Sequence, residues 1–99
     1  MEKKLIIIDD DLPFRNRLAY SMEKKGFVVD AYSKIAEAKE YIGEKKFTHA
    51  IIDMRLEDGS GLEIIKFIKK ISPETQALLL TGYGNIATAV AAIKAGAID

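Results

Sequence analysis

The sequence predicts an open α/β sandwich, a parallel sheet with helices on its faces, from three observations. Short apolar runs recur at regular intervals, each run ends in polar or glycine-rich turn residues, and each turn leads into a segment with helical spacing. Four β-then-α units in strict alternation imply parallel strands joined by right-handed crossovers. A chain of 99 residues that is 48% hydrophobic accommodates this as one domain spanning 1–99.

Leu5-Ile6-Ile7-Ile8, closed by Asp9-Asp10-Asp11, has the continuous apolarity of a strand covered on both faces. Pro13 suits a first helical turn, where a missing N–H breaks no helical bond, and Phe14, Leu18 and Met22 then recur every four residues until Gly26 supplies a stop. Phe27-Val28-Val29 resumes a short strand. Ser33 is placed to cap a second helix whose inner face is Ile35, Ala38 and Ile42, ending near Gly43.

The pattern repeats with Ala50-Ile51-Ile52-Asp53, the polar stretch Glu57 to Gly61, and a helix carrying two stripes, Leu62/Ile65/Ile68 and Ile64/Phe67/Ile71, with Pro73 beyond its end. Ala77-Leu78-Leu79-Leu80-Thr81 reads as a fourth, buried strand. Gly82-Tyr83-Gly84 is its tight connection, Asn85 an N-cap, and Ile86, Val90 and Ile93 the face of a fourth helix closed by Gly96. Ala97-Ile98-Asp99 resembles the approach to a fifth strand.

Composition excludes several functions. Fifteen basic residues balance fifteen acidic ones, so no overall field draws nucleic acid or anionic lipid to this chain. No cysteine is present, which removes disulfides, thiolate metal sites and redox thiols. No apolar run is long enough for a signal peptide or a membrane span, so the cytoplasm is the expected compartment. Glu44-Lys45-Lys46 and Lys69-Lys70 read as solvated helix ends.

In open parallel sheets ligands sit beyond the carboxyl ends of the strands, where strand order reverses. There this sequence places Asp9, Asp10 and Asp11 after the first strand, Asp53 after the third and Thr81 after the fourth. Two unit charges about 4 Å apart repel by about 1 kcal/mol in water and about 4 kcal/mol at an effective dielectric near 20, so such carboxylates need a cation or a proton. Oxygen donors without His or Cys favour a hard divalent ion, Mg²⁺ or Mn²⁺. Asp11 reads better as the cap of the first helix than as a ligand.

Competing motifs fail. Asp53-x-Arg55-x-Glu57 begins like a calcium loop, but Asp58 stands where that loop needs glycine. Gly82-x-Gly84-x-x-Ala87 has the outline of a dinucleotide turn, but the acid that would bind ribose would lie beyond Asp99 and no second Gly-rich turn is present in these residues. His49, the single histidine, starts the third strand and has no partners for a nucleophilic triad.

Ile6-Ile7-Ile8-Asp9-Asp10, Ile51-Ile52-Asp53-Met54-Arg55-Leu56, Asp58-Gly59-x-Gly61-Leu62-Glu63 and Leu80-Thr81-Gly82-Tyr83-Gly84 together resemble the receiver domain of bacterial two-component response regulators. Residues 55–63 and 81–92 are similar more narrowly to the RegA/PrrA/ActR-type redox and photosynthesis regulators. The resemblance implies a flavodoxin-like (CheY-like) fold, here (βα)4 with the fifth βα unit missing. It also implies Asp53 as phosphoacceptor, Asp9 and Asp10 on Mg²⁺ directly or through water, and the Arg55 backbone carbonyl on the same metal. The Thr81 hydroxyl and the Met54 and Gly82 amides would meet phosphoryl oxygens, and Arg55 and Tyr83 would tune hydrolysis. The implied partner is a sensor histidine kinase, and the implied output is a transcriptional domain outside this chain.

The receiver pattern continues beyond Asp99 with a switch aromatic, a Lys-Pro pair and a fifth helix, so the chain reads as C-terminally truncated. Lys94, on the fourth helix, is not assigned the role of the phosphate-pairing lysine. Loss of the fifth strand would leave the fourth as an apolar edge, which predicts self-association or strand exchange. The alternative reading is a receiver-shaped protein-interaction module without competent phosphotransfer.

Overall fold

The run Leu5–Ile8 is wholly buried, each residue 0% exposed, and everything else is arranged around it. The computed structural model describes residues 2–80. In chain order these form β1 (Lys4–Ile8), α1 (Leu12–Lys24), β2 (Val28–Tyr32), α2 (Ile35–Ile42), β3 (His49–Asp53), β4 (Arg55–Leu56), β5 (Gly59–Ser60), α3 (Gly61–Ile71) and β6 (Gln76–Leu80). The main sheet has the order β2-β1-β3-β6 with every pair parallel, while β4 and β5 form a small antiparallel hairpin. The expected parallel α/β architecture is therefore present. Thr81, Gly82, Tyr83, Lys94 and the expected fourth helix lie outside the described residues.

Alternation along the central strands divides the interior into two cores. Leu5, Ile7 and Ile51 face α1 and pack with Leu18, Met22 and Phe27. Ile6, Ile8, Ala50 and Ile52 face the opposite side and pack with Ile35, Ala38 and Ile42 of α2 and Ile64 and Ile68 of α3. Each fully buried Leu or Ile contributes about 1.5–3 kcal/mol relative to its exposed state. No helix among the described residues is long and apolar enough to cross a membrane.

Asp11 caps α1 as its sequence position suggests, its carboxylate accepting from the Phe14 N–H at 3.1 Å, and Pro13 lies in the first turn. Gly26 follows the end of α1 at φ +96°, a conformation that side chains with a Cβ rarely adopt. Phe27 precedes β2 instead of joining it, packing edge-on against the His49 ring with centroids 5.0 Å apart. His49 sits at the start of β3 as expected. Burial, followed by the charge of Lys3, holds its pKa below the ordinary histidine value.

One local expectation needs correction. Ser33 does not cap α2; its hydroxyl and N–H both donate to Glu37, at 3.1 and 3.3 Å, and the capping residue Lys34 makes no side-chain bond. Within the polar stretch from Glu57 to Gly61, Gly59–Ser60 folds back as β5 against β4. Of the two stripes on α3, Ile64 and Ile68 are buried while Leu62 and Ile71 each remain 43% exposed. One helix turns only a limited arc toward a sheet, and two adjacent stripes exceed it.

Candidate metal and phosphoacceptor site

The chain leaves β1 toward β2 on one side of the sheet and returns to β3 on the other, so strand order reverses between β1 and β3. That crevice is where α/β sheets bind ligands. Ile8 and Ile52 are register partners, so Asp9 and Asp53 emerge side by side at the carboxyl ends of two neighbouring strands. One carboxylate oxygen from each of Asp9, Asp10 and Asp53 lies within 4.8 Å of the other two.

Each acid is placed by a local device. Asp9 continues the β1 ladder by donating its N–H to the Tyr32 carbonyl at 3.0 Å, and its Oδ1 accepts from the Asp11 N–H at 2.9 Å. The Arg15 guanidinium, from α1, donates to the Asp9 carbonyl oxygen at 2.8 Å. Asp53 is the last residue of β3. Directly after it the Met54 N–H donates to the Leu80 carbonyl at 2.8 Å, and the Met54 carbonyl accepts from the Gly61 N–H at 2.8 Å. Gly61 is required by closeness: a Cβ there would fall on the carbonyl oxygen of Asp53 and within 3.0 Å of the Ile52 side chain.

The electrostatics follow from this crowding. Asp9 is only 6% exposed, Asp53 half-buried and Asp10 open to solvent. Burial raises the Asp9 pKa, a bond from the Asp11 N–H opposes it, and the charges of Asp53, Asp10 and Asp11 raise it further. Burial also raises the Asp53 pKa, the Arg55 N–H opposes it, and Asp10 pushes it up again. The cluster is thus held against its own repulsion, as a cation-binding site is before loading.

The donor set fits a hard divalent ion. Around an octahedral Mg²⁺ at about 2.1 Å, neighbouring oxygens lie about 3.0 Å apart and opposed ones about 4.2 Å, so oxygens within 4.8 Å of one another reach one ion by side-chain closure, less of it for the larger Ca²⁺. All three donors are carboxylates, as Mg²⁺, Mn²⁺ and Ca²⁺ prefer.

The structure brings together Asp9, Asp10 and Asp53, with Arg55 two residues beyond, and leaves Asp11 to its helix. The Met54 N–H is donated to the Leu80 carbonyl, extending the β3–β6 ladder by one step, and both it and, more strongly, the Arg55 N–H pull the Asp53 pKa down. Arg15, Asp58 and Gly61 were not assigned from the sequence. Gly61 carried a signal, a glycine opening a helix just after an acid-tipped strand; Arg15 carried none.

The curated relatives include the photosynthetic apparatus regulatory protein RegA of Cereibacter sphaeroides, 45% identical over 99% of this chain and 53% of its own length. The acid tolerance regulatory protein ActR of Rhizobium meliloti is 48% identical, with coverages of 99% and 50%. This chain therefore spans about half the length of the curated relatives it matches. Among solved structures, a response regulator protein from Burkholderia pseudomallei, crystallised with a phosphorylated aspartic acid, calcium ion and citrate, aligns with a TM-score of 0.77. It is 38% identical, covering 96% of this chain and 56% of that one. The sheet order and the acids at its switch point agree with the match of residues 5–99 to the response regulator receiver domain, and the chain belongs to that family, with its flavodoxin-like fold.

Proposed function

We propose that this domain accepts a phosphoryl group on Asp53, with a histidine kinase as donor and a divalent ion, Mg²⁺ by preference, held by Asp9, Asp10, Asp53 and the Arg55 carbonyl. One observation carries the proposal: the three carboxylates converge at the strand-order reversal. A carboxylate oxygen of Asp53 attacks phosphorus, the bond from phosphorus to the donor atom breaks, and the donor keeps the electron pair. The metal, when bound, offsets the charge that would otherwise keep a carboxylate from an anionic phosphoryl group. The Met54 N–H is the amide at this strand end assigned to a phosphoryl oxygen. The Thr81 hydroxyl and Gly82 N–H take the remaining contacts.

The domain is a signalling acceptor rather than a turnover enzyme, located in the cytoplasm and acting on a transcriptional domain outside this chain. Its charge balance gives it no direct role on nucleic acid and none on membranes. Incubation with a small phosphodonor and Mg²⁺ is expected to add one phosphoryl group by intact mass. Asp53→Ala is expected to remain unmodified, and equal uptake by that variant would refute the assignment. Self-association is the further expectation, with the mass from light scattering rising with concentration; a monomer that unfolds cooperatively at high temperature contradicts it.

A further inference from the structure

We infer that Asp58 is a positioning residue for phosphotransfer at Asp53, an inference that rests on the phosphoacceptor reading above. Asp58 lies at the turn of the β4–β5 hairpin. Its two carboxylate oxygens accept from the first N–H groups of α2, Oδ1 from Ile35 at 2.9 Å and Oδ2 from Ala36 at 3.1 Å. A helix start is ordinarily capped by the residue just before it. Here Lys34 offers nothing and Ser33 is engaged with Glu37, so α2 takes its cap from a carboxylate more than twenty residues along the chain. The Ile35 bond, then the Ala36 bond, hold the Asp58 carboxyl below its ordinary pKa.

The hairpin fastened in this way is the segment that follows the phosphoacceptor. Leu56 anchors one strand of it in the core beside Ile35 and Ala38, leaving the Asp58 turn as its other attachment to α2. At its far end, Gly59 lies so close to α2 that a Cβ would come within 3.0 Å of Ile35 Cδ1. At its near end, the Gly61 N–H bonds the Met54 carbonyl at 2.8 Å and Gly61 itself abuts the Asp53 carbonyl. Beyond the hairpin, Lys39 of α2 and Glu63 of α3 form an ion pair at 3.0 Å. Arg55 pairs with Ser60 within this hairpin and lies two residues beyond Asp53, so its backbone amide and carbonyl follow the hairpin's seating. Asp58 touches neither metal nor phosphoryl group. It holds α2 and the hairpin in one arrangement, and through Arg55 it fixes the amide and carbonyl presented to the site.

The test compares Asp58→Ala, Asp58→Asn and Glu40→Gly in the 99-residue chain. Glu40 is exposed within α2 and away from the Asp58 bonds, so Glu40→Gly weakens the helix by propensity and leaves its cap in place. With a small phosphodonor at saturating Mg²⁺, Asp58→Ala is expected to slow phosphorylation about tenfold, and Asp58→Asn, which keeps one acceptor, about threefold. Glu40→Gly is expected to phosphorylate at the wild-type rate despite a lowered thermal midpoint. Wild-type rates in both Asp58 variants overturn the inference, as does an equal loss in Glu40→Gly, which would reduce Asp58 to a stabilising cap. If Asp58→Ala does not fold, Asp58→Asn against Glu40→Gly decides by the same criteria. Failure of the wild-type chain to take phosphate at all would instead defeat the parent reading, and this one with it.

Discussion

Gly61→Ala is expected to lower the thermal midpoint by about 4–24 °C and to slow phosphoryl uptake at Asp53, because the added methyl has nowhere to go. It would fall on a backbone carbonyl, that of Asp53, with the Ile52 side chain at 3.0 Å on its other side. A flexible side chain could swing away from such a contact; a carbonyl at the end of a central strand moves only with the strand. Overpacking of this kind costs about 1–3 kcal/mol, and a domain of this size loses about 4–8 °C per kcal/mol. Because the atom displaced belongs to the phosphoacceptor, stability and reactivity should fall together. Differential scanning calorimetry alongside the phosphodonor assay checks both. A variant with an unchanged midpoint and unchanged rate would mean that α3 can start further from β3 than it does here.

Asp9→Asn carries the second large effect, and its sign depends on metal. Without divalent ions it is expected to stabilise the domain by about 1–2 kcal/mol, since it removes one of several crowded charges while keeping an Oδ1 to accept from Asp11. The pH dependence follows from the raised pKa values of Asp9 and Asp53. The folded state binds these protons more tightly than the unfolded chain. The associated stability is therefore fully present below the ordinary carboxylate pKa and is lost as pH rises through the folded-state values. Metal-free wild type should thus gain stability on mild acidification, and Asp9→Asn should gain less. At Mg²⁺ about a hundredfold above its dissociation constant, wild type gains about 2.7 kcal/mol by mass action, while the variant, short of one ligand, gains little. The order of thermal midpoints should then reverse. Midpoints that keep the same order with and without Mg²⁺ would exclude Asp9 from the metal site.

What the sequence revealed and what it concealed divide along a physical line. The aliphatic run of β1, the cap at Asp11, the glycine after α1 and the acids at two strand ends are all consequences of neighbours within a few residues. They could be read directly. That Asp9 and Asp53 meet needs more than alternation: βα units make both strands parallel, but the two acids become neighbours only because β2 lies outside β1 and β3 returns to its other side. Likewise, the cap of α2 comes from Asp58, and no local pattern distinguishes that carboxylate from the solvated Glu57 beside it. The same holds for the Met54 N–H. It donates to the Leu80 carbonyl, a partner defined only once β6 has docked on β3. On α3, apolar residues outnumber the positions that the sheet can cover, and only packing decided that Ile64 and Ile68 go inside while Leu62 stays out.

The central strand β1 is apolar on both faces, and this changes what its terminal acids do. In a half-exposed strand, sliding by one residue carries greasy side chains into water, and that penalty keeps the pairing in frame. Leu5 to Ile8 has no such safeguard, since a shifted aliphatic run would still be surrounded by aliphatics. Its alignment must come from its ends, where sliding in one direction would drag the Asp9 carboxylate between the helices and sliding in the other would pull in the lysines before Leu5. The acids assigned to ion binding therefore also serve as the stop that keeps the strand ladder in register.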